Sequence, residues 1–335
     1  MRYVALTLLL AVTAMFSACS RNNSSEPTFT LAWSEYPSWS VFGVAKDMGV
    51  LDELCRKHGV KVEFKLADYD TCITMYGSST ADAVCITNID ALKPALSRKS
   101  VAILPTSTSA GGDALVALTS AKTKEEVDAF LRATPVYGLE KSVSEYAFYR
   151  CCEKSGLDPS RYKFVNMDPA AAATAMQTGG DIKAIMVWNP FVLQTLRTVP
   201  KATRLFDSSL IPGEIIDMVV VGNDSLHKPG GDRFAKVIVE AYYRVNGMLT
   251  TDKAYVALGS KFCNLGATDM RQCCQETRFF GTPQQGLAVF ESAEFGPVMQ
   301  RVHGFCKQRG ILQQDVTYGV NQPGANLNFS TTFLR

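Results

Sequence analysis

The residues best suited to bind a small polar molecule are aromatic and acidic, and they stand at predicted strand ends, turns and hinges. They are Trp33, Tyr36, Trp39, Trp188, Asp90, Asp113, Glu140 and Glu214. Carboxylates accept hydrogen bonds from N–H groups, and aromatic faces attract cations. An oxyanion site instead requires Arg or Lys side chains or bare helix N-termini. The acidic set therefore predicts a cationic or donor-rich neutral ligand, such as guanidinium, a related amidine or amine, or urea.

Three further polar residues join the candidate set, and each has a structural alternative. Asn88 and Asn189 follow predicted strands, where they are also placed to cap the next helices. Ser142 stands at a predicted helix start, where capping competes with ligand contact. The strand-ending Trp33 and Trp188 serve equally well to pack beneath a loop. Ligand contact and a structural role therefore both stay open for these residues.

Other chemistry has little support in the sequence. The three histidines, His58, His227 and His303, lack the spacing of a metal site or a nucleophilic triad. Ten cysteines include Cys19, and the other nine show no C-x-x-C pattern, so free thiols and disulfides are both compatible with them. The nucleotide-binding motif G-x-x-x-x-G-K-[ST] is absent. We predict no cofactor, no metal and no enzymatic activity.

The composition favours a soluble globular body with small partners. Of the 335 residues, 47% are hydrophobic and 20% are charged. This length predicts about two domains. The 34 basic and 32 acidic residues nearly cancel, so we expect no nucleic-acid partner. Beyond residue 20, no apolar run reaches the length of a membrane-spanning helix.

The N-terminus resembles an export signal. A short basic start precedes an apolar stretch over 4–16, which is too short to be a good membrane span. The sequence Phe-Ser-Ala-Cys, ending at Cys19, resembles the lipobox of bacterial lipoproteins. We therefore predict a signal peptide over 1–18, a polar tether over 19–27, and a periplasmic protein that Cys19 anchors to a membrane through lipid. Ordinary secretory cleavage and an uncleaved anchor stay open as alternatives.

Hydrophobic periodicity predicts the elements that position these residues. Short apolar runs alternate with helical patterns, which is typical of parallel sheets flanked by helices. Strands are predicted at 29–33, 60–66, 81–87, 101–105, 113–119, 134–140, 162–166, 181–188 and 216–222. Helices are predicted at 41–58, from about 70, and at 143–155, 169–178, 232–249, 252–263, 268–277 and 283–293, with a last one ending near 308. The tail from residue 315 is predicted to be an extended surface strap.

This order of elements predicts an α/β fold. We expect two doubly wound lobes joined by two crossing hinge strands, with a helical C-terminal part. The first lobe comprises 28–116 and 220–335, and the second is inserted as 117–219. Met75–Asn88 and Met176–Asn189 align without a gap, each as helix end, turn, buried strand and Asn. Because ligands of open parallel sheets bind beyond the carboxyl ends of strands, we expect the site in a cleft between the lobes.

An ordered set of short segments carries a resemblance to a known family. The segments are AWSEYPSW (32–39), TNIDAL (87–92), GGDALVAL (111–118), LEKSVSEY (139–146), VWNP (187–190) and IPGEI (211–215). With the two-lobe pattern, the chain resembles the periplasmic solute-binding proteins of ABC importers over roughly residues 28 to 310. Within them it resembles the nitrate, sulfonate and taurine class, and there the branch associated with urea carboxylase and guanidine utilisation.

The resemblance implies a monomeric binding protein that closes its lobes on a solute. The solute is then delivered to the permease and ATPase subunits of the importer. Two alternatives stay open. One is a binding protein for a sulfonate, nitrate or taurine-type anion, and the other is an enzyme on the same fold, similar to those of pyrimidine synthesis.

Overall fold

The computed structural model describes residues 26–249, 263 and 265–335. The predicted signal peptide, Cys19, most of the tether and all but the last residue of the predicted helix at 252–263 lie outside the described residues. The strands are β1 (Thr28–Trp33), β2 (Lys61–Leu66), β3 (Ala83–Thr87), β4 (Ser100–Thr108), β5 (Asp113–Leu118), β6 (Val136–Gly138), β7 (Phe164–Asn166), β8 (Ala184–Trp188), β9 (Ala202–Asp207), β10 (Ile216–Gly222), β11 (Tyr318–Val320) and β12 (Leu327–Phe329). The helices are α1 (Ser40–Asp47), α2 (Val50–His58), α3 (Tyr69–Gly77), α4 (Leu92–Ala95), α5 (Lys124–Ala133), α6 (Val143–Lys154), α7 (Pro169–Gln177), α8 (Phe191–Thr198), α9 (Asn223–Leu226), α10 (Gly231–Asn246), α11 (Ala267–Thr277), α12 (Pro283–Glu291) and α13 (Phe295–Gln308).

Two sheets form the centres of two α/β lobes. The first sheet has the strand order β11-β12-β4-β10-β3-β1-β2, and the second has the order β7-β6-β8-β5-β9. Both sheets are mixed, because β10 runs antiparallel to β3 and β4, and β5 runs antiparallel to β8 and β9. The predicted α/β class with two lobes is therefore confirmed.

The chain crosses between the lobes in two short segments. It leaves β4 of the first sheet, passes through 109–112 and enters β5 of the second; it returns from β9 through 208–215 into β10. A strand that enters directly from the other sheet needs no helical crossover, so it can run opposite to its neighbours. The predicted lobe bounds at 117 and 219 fall inside β5 and β10, because an apolar run does not reveal the sheet to which it belongs.

The predicted helix at 41–58 is in fact two helices, α1 and α2. Gly49 lies between them with a φ of 72°, in the left-handed region that glycine adopts without a Cβ clash. Both helices pack against α10. Their apolar faces therefore look towards the same core, and the hydrophobic periodicity runs on across the break.

The C-terminal tail is partly buried, which corrects the predicted surface strap. Strand β12 pairs with β4 in the first sheet, and Leu327 and Phe329 are completely buried. The Phe329 ring lies 4.7 Å from that of Phe295 and 5.5 Å from that of Phe290, measured between centroids. A strand of three residues is too short to show an alternating pattern. Strand β9 and helix α5 were likewise not predicted.

Within the described residues, no helix is both long enough and apolar enough to cross a membrane. A large apolar cluster extends through both lobes, and a smaller one lies in the second lobe, where β5 and β8 pack against α7 and α8. These cores hold the strand ends in fixed positions, and the strand ends carry the candidate site.

Candidate ligand-binding cleft

Strand register brings one carboxylate from each sheet to the edge between the lobes. Asp217, near the start of β10, lies opposite Thr87 at the end of β3. Asp113, at the start of β5, lies opposite Trp188 at the end of β8. An antiparallel strand begins where its neighbours end. Both carboxylates therefore lie at the strand-end edge where open α/β sheets bind their ligands.

A small space between the lobes, which we call the inner cavity, collects these residues. It is lined by Tyr36, Trp39, Tyr69, Thr87, Asp113, Val143, Trp188, Ile215 and Asp217. Its volume is about 10 Å³, which is close to the minimum that holds one water molecule. The closed lobes therefore leave room for about one water molecule, and a larger group enters this space only when the lobes separate.

Four aromatic rings form a continuous wall of the inner cavity. Trp39 and Tyr69 stack with centroids 5.5 Å apart and an interplanar angle of 20°. Tyr36 lies 4.9 Å from Trp39, and Trp188 meets Tyr69 edge-on at 5.5 Å. Such faces attract cations and exclude water. The wall therefore favours a flat or cationic group.

The carboxylates of the inner cavity are buried without a cation. Asp113 is 3% exposed and Asp217 is 2% exposed, and neither forms an ion pair with any residue that the structure describes. Burial raises the pKa of Asp113 to about 7. Burial also raises the pKa of Asp217 well above its usual value, and the nearby Asp113 adds to this effect. The Ser107 hydroxyl donates a hydrogen bond of 2.5 Å to Asp217. Unpaired buried carboxylates are unfavourable, so a bound cation stabilises both.

A third buried carboxylate, Asp90, adjoins the aromatic wall. It accepts hydrogen bonds from the Tyr69 hydroxyl at 2.8 Å, the Thr87 hydroxyl at 2.9 Å and the Val143 backbone N–H at 3.3 Å. Burial raises the pKa of Asp90 to about 6, while the hydrogen bonds from Tyr69 and Thr87 oppose that rise. Asp90 therefore fixes the Tyr69 ring and joins the first lobe to the start of α6 in the second.

Two polar groups of the aromatic wall have no hydrogen-bond partner among the described residues. The Trp39 indole N–H and the Tyr36 hydroxyl are both buried and make no hydrogen bond of normal geometry. Buried polar groups in folded proteins are nearly always paired. The indole N–H donates only, whereas the hydroxyl also accepts. The pair is therefore suited to a ligand that carries both an acceptor and donors.

The structure brings several predicted residues together and separates others. The inner cavity contains Tyr36, Trp39, Asp113 and Trp188, and Asp90 contacts its wall. Six predicted residues, by contrast, are absent from its lining: Trp33, Asn88, Glu140, Ser142, Asn189 and Glu214.

Three of the separated residues have local surroundings of their own. Glu140 is exposed, and its backbone N–H donates to the Asn166 side chain. The Ser142 hydroxyl caps α6 by accepting from the Ser144 backbone N–H at 3.1 Å. Trp33 is buried at the end of β1.

Glu214 is buried beside arginines and not in the inner cavity. It accepts from the Nε and Nη2 atoms of Arg150, both at 2.9 Å, and from the Tyr146 hydroxyl at 2.6 Å. Arg301 of α13 lies 3.6 Å away. Burial opposes its ionisation, yet the hydrogen bonds from Arg150 leave the pKa of Glu214 below its usual value. Its charge is therefore already neutralised within the protein.

The two asparagines join segments and do not cap helices. Asn88 donates to the Glu214 carbonyl at 3.1 Å and accepts from the Ile216 N–H at 3.0 Å, which ties the end of β3 to the start of β10. Asn189 donates to the Glu276 carboxylate at 2.7 Å. Turns separate the following helices from the two strands, so other residues occupy their N-cap positions, without a side-chain cap hydrogen bond.

Two ion pairs, which we call the side latches, connect the lobes beside the cleft. In one, Glu276 of α11 accepts from Arg204 of β9 at 3.1 and 3.2 Å. In the other, Glu145 of α6 accepts from Arg309, just beyond α13, at 2.9 Å. Each latch joins a residue of the first lobe to one of the second. Both pairs therefore depend on the closed arrangement of the lobes.

Sequence reasoning missed Tyr69 and Asp217. Asp217 is the single charged residue in the apolar strand sequence IDMVVVG, and a charge in a buried strand is a signal that was available. Tyr69 begins α3 directly after its capping residue Asp68 and carries no comparable signal. Only the packing of α3 against β1 and β3 brings its ring to the cleft.

The described part of the chain contains no cluster of side chains arranged to bind a metal ion and no disulfide bond. No group of three or more His, Cys, Asp or Glu side chains there is positioned to hold a metal ion. The nine cysteines from Cys55 to Cys306 are free thiols, and most are buried. The described cysteines therefore form no disulfide framework.

No protein-family model matches this chain, and no curated protein shows significant sequence similarity to it. Solved structures do match. The alkanesulfonate-binding protein SsuA from Xanthomonas axonopodis pv. citri, bound to MOPS, has a TM-score of 0.69 at 14% identity, over 87% of this chain and 96% of its own.

Two further solved structures agree with this match. The periplasmic aliphatic sulphonate-binding protein SsuA from Escherichia coli has a TM-score of 0.68 at 14% identity, over 87% of this chain and 95% of its own. This chain has the periplasmic binding protein fold. The periplasmic nitrate-binding protein NrtA from Synechocystis PCC 6803 is also similar, with a TM-score of 0.58 at 11% identity, over 86% of this chain and 90% of its own. At such identities the periplasmic binding protein fold is shared, and the ligand has to be inferred from the cleft.

Proposed function

We propose that this chain is the solute-binding component of an ABC importer and that it closes its lobes on a small nitrogenous solute. A guanidinium or related amidinium group is the first candidate. The observation that carries this proposal is the pair of buried carboxylates, Asp113 and Asp217, which face an aromatic cavity without a cation. The fold, shared with sulfonate- and nitrate-binding proteins, supports the transport role.

A planar cation satisfies the groups that line the inner cavity. Its N–H groups donate to Asp113 and Asp217, and its single positive charge lowers the cost of burying the two carboxylates by compensating one negative charge. Its flat face lies against rings such as Trp39 and Tyr69. A sulfonate or nitrate would instead meet two carboxylates, and the cavity lining includes no Lys or Arg among the residues that the structure describes. The electrostatics therefore favour a cation over the anions of the structural neighbours.

Urea is the second candidate, and one observation favours it. The buried Trp39 indole N–H lacks an acceptor, and a urea oxygen accepts from such a donor. The two amide groups of urea then donate to the carboxylates as guanidinium does. The two candidates differ in charge. Guanidinium is a counter-ion for the carboxylates, whereas neutral urea is not.

Capture and release need no covalent chemistry. The lining of the inner cavity includes no His, Cys or Lys, which are common nucleophiles and bases. We further propose that the solute passes to permease and ATPase subunits, and that lipid on Cys19 keeps the protein at the membrane. The lipobox-like sequence before Cys19 supports this anchoring.

A ligand panel tests the proposed function. We expect guanidinium or an amidine, and more weakly urea, to bind in isothermal titration calorimetry, while alkanesulfonates and nitrate do not. Asp113→Asn removes one charged acceptor and should lower guanidinium affinity at pH 8 by about 30-fold or more. The fold should survive, because Asn replaces a buried carboxyl group of similar shape.

The matched control is Asp181→Asn, which removes an exposed carboxylate of the same lobe. It should leave guanidinium affinity unchanged. Binding of sulfonates or nitrate alone, or equal loss of affinity in both variants, would contradict the proposal.

A further inference from the structure

A second and larger space lies outside the aromatic wall, and we call it the outer chamber. Its volume is about 290 Å³, against about 10 Å³ for the inner cavity. Tyr69 and Trp188 line both spaces, so their edge-on contact is the partition between them. The outer chamber is therefore the natural place for any part of a solute that extends past the inner cavity.

The outer chamber is acidic on both sides of the cleft. Glu35 and Asp68 come from the first lobe, and Asp168 comes from the second. The described residues of the chamber's lining include no Lys, Arg or His. Asp68 and Asp168 cap α3 and α7 by accepting from backbone N–H groups, each at 2.9 Å. Helix N-termini attract anions when they are bare. Here the capping carboxylates already occupy both N-termini, so an anionic group finds no free donors at these two helix starts.

A buried polar group also points to a ligand in the outer chamber. Ser34 lines this space and is 5% exposed, and its hydroxyl has no hydrogen-bond partner in the part of the chain that the structure describes. A hydroxyl accepts from an N–H donor as readily as it donates. The neighbouring Tyr36 lines the inner cavity, so a single loop after β1 contributes lining residues to both spaces.

We propose that the outer chamber is a subsite for the second, cationic end of the solute, so that the solute class is an alkyl chain with an amidinium-like head and a distal ammonium group. The proposal rests on the proposed function, which places the head in the inner cavity. The alkyl chain passes beside Tyr69 and Trp188, and the ammonium group reaches Glu35, Asp68 and the Ser34 hydroxyl. The lobe containing Asp168 covers it from the other side.

The experiment compares ligands with one head and different arms. Calorimetry at pH 8 and low salt measures guanidinium, n-alkylguanidiniums, and aminoalkylguanidiniums with arms of two to six methylene groups. At the best arm length, the ammonium ligand should bind about fivefold more tightly than its alkyl counterpart, and 0.5 M salt should reduce this ratio because exposed charges are screened. Glu35→Gln should bring the ratio below about twofold and leave the alkyl ligands unchanged. Glu125→Gln, at an exposed position on α5, is the matched control and should keep the full ratio.

The outcomes separate the two proposals. If guanidinium binds and the ammonium arm gives no gain at any length, the outer chamber is not a cation subsite and the proposed function stands. A gain that Glu35→Gln leaves intact overturns the assignment to this chamber in the same way. If no ligand with a guanidinium head binds, the proposed function fails, and this inference fails with it.

Discussion

Two groups of carboxylates lie between the lobes, and they differ in whether an arginine accompanies them. Glu214, Glu145 and Glu276 are each paired with arginine. Asp113 and Asp217 are as deeply buried as Glu214 and have no such partner in the described chain. The same chemical group thus has its pKa lowered at Glu214 by arginine hydrogen bonds and raised at Asp113 chiefly by burial, with the nearby charges of Asp90 and Asp207 adding to the rise.

This difference implies that one group of carboxylates favours closure of the lobes and the other binds the solute. Carboxylates with arginines complete their hydrogen bonds when the lobes meet, so they favour the closed form without a ligand. Carboxylates without arginines oppose closure until a cation arrives, because burying their charge is costly. The arginines of the protein therefore lie beside the cleft, and the positive charge of the inner cavity has to come from the ligand.

The largest expected effect comes from breaking an arginine-paired carboxylate. Glu214→Ala removes the buried partner of Arg150 and leaves that half-buried arginine only the exposed Glu153, so we expect a loss of about 3 kcal/mol in the free energy of unfolding. Scanning calorimetry measures it without denaturants that are themselves candidate ligands. Glu153→Ala removes the exposed partner of the same arginine and should cost less than about 1 kcal/mol. A stable Glu214→Ala protein that has lost guanidinium binding would place Glu214 in the ligand site instead.

The second prediction concerns pH and the unpaired carboxylates. A cation requires the ionised form, so guanidinium affinity should rise from pH 5 and begin to flatten only above pH 7, since the pKa values of Asp90 and Asp113 are about 6 and about 7. The rise should be up to about tenfold per pH unit for each proton displaced. Calorimetry in buffers of different ionisation enthalpy counts the released protons.

The pH profile also has an internal comparison. Asp113→Asn should make the profile shallower by about one proton. Neutral urea has no charge to compensate, so its affinity should stay flat or fall as pH rises. A flat profile for guanidinium would show that the buried carboxylates do not face the ligand.

The smallest expected effect concerns a side latch. Glu276→Gln removes the charge that pairs with Arg204, which shifts the ligand-free protein towards the open form and should weaken guanidinium binding by about fivefold. Small-angle X-ray scattering should show a larger radius of gyration without ligand and an unchanged radius with it. Glu53→Gln breaks an ion pair with Arg244 inside the first lobe and serves as the control. If both variants change guanidinium affinity and the radius of gyration equally, the Glu276–Arg204 pair does not act as a latch between the lobes.

Most of the fold was predictable, because strand and helix patterns are local. The alternation up to residue 222 indicated the α/β class, and the strand-end rule predicted that Trp188 lies at the cleft. The secondary-structure predictions failed where the local hydrophobic pattern gives no signal. Gly49 breaks a helix inside a continuous apolar period, and β12 is too short to show one.

The candidate site was less predictable, because residue type does not specify a residue's partners. Glu214 and Asp113 look equivalent in the sequence, since both are acids beside glycine near a lobe crossing. Their difference arises from Arg150, which lies 64 positions from Glu214 and reaches it only through the packing of α6. No arginine within the described ranges forms a comparable pair with Asp113.

The sequence by itself determined the alternating elements, the two lobes and the acidic and aromatic character of the strand ends, since these depend on periodicity and composition. The tertiary structure decided which acids face a ligand. The antiparallel register of β10 carries Asp217 to the cleft, and helix packing supplies arginines to Glu214 and Glu145. Charge compensation acts over a few ångströms in space, and residues distant in the chain provide it.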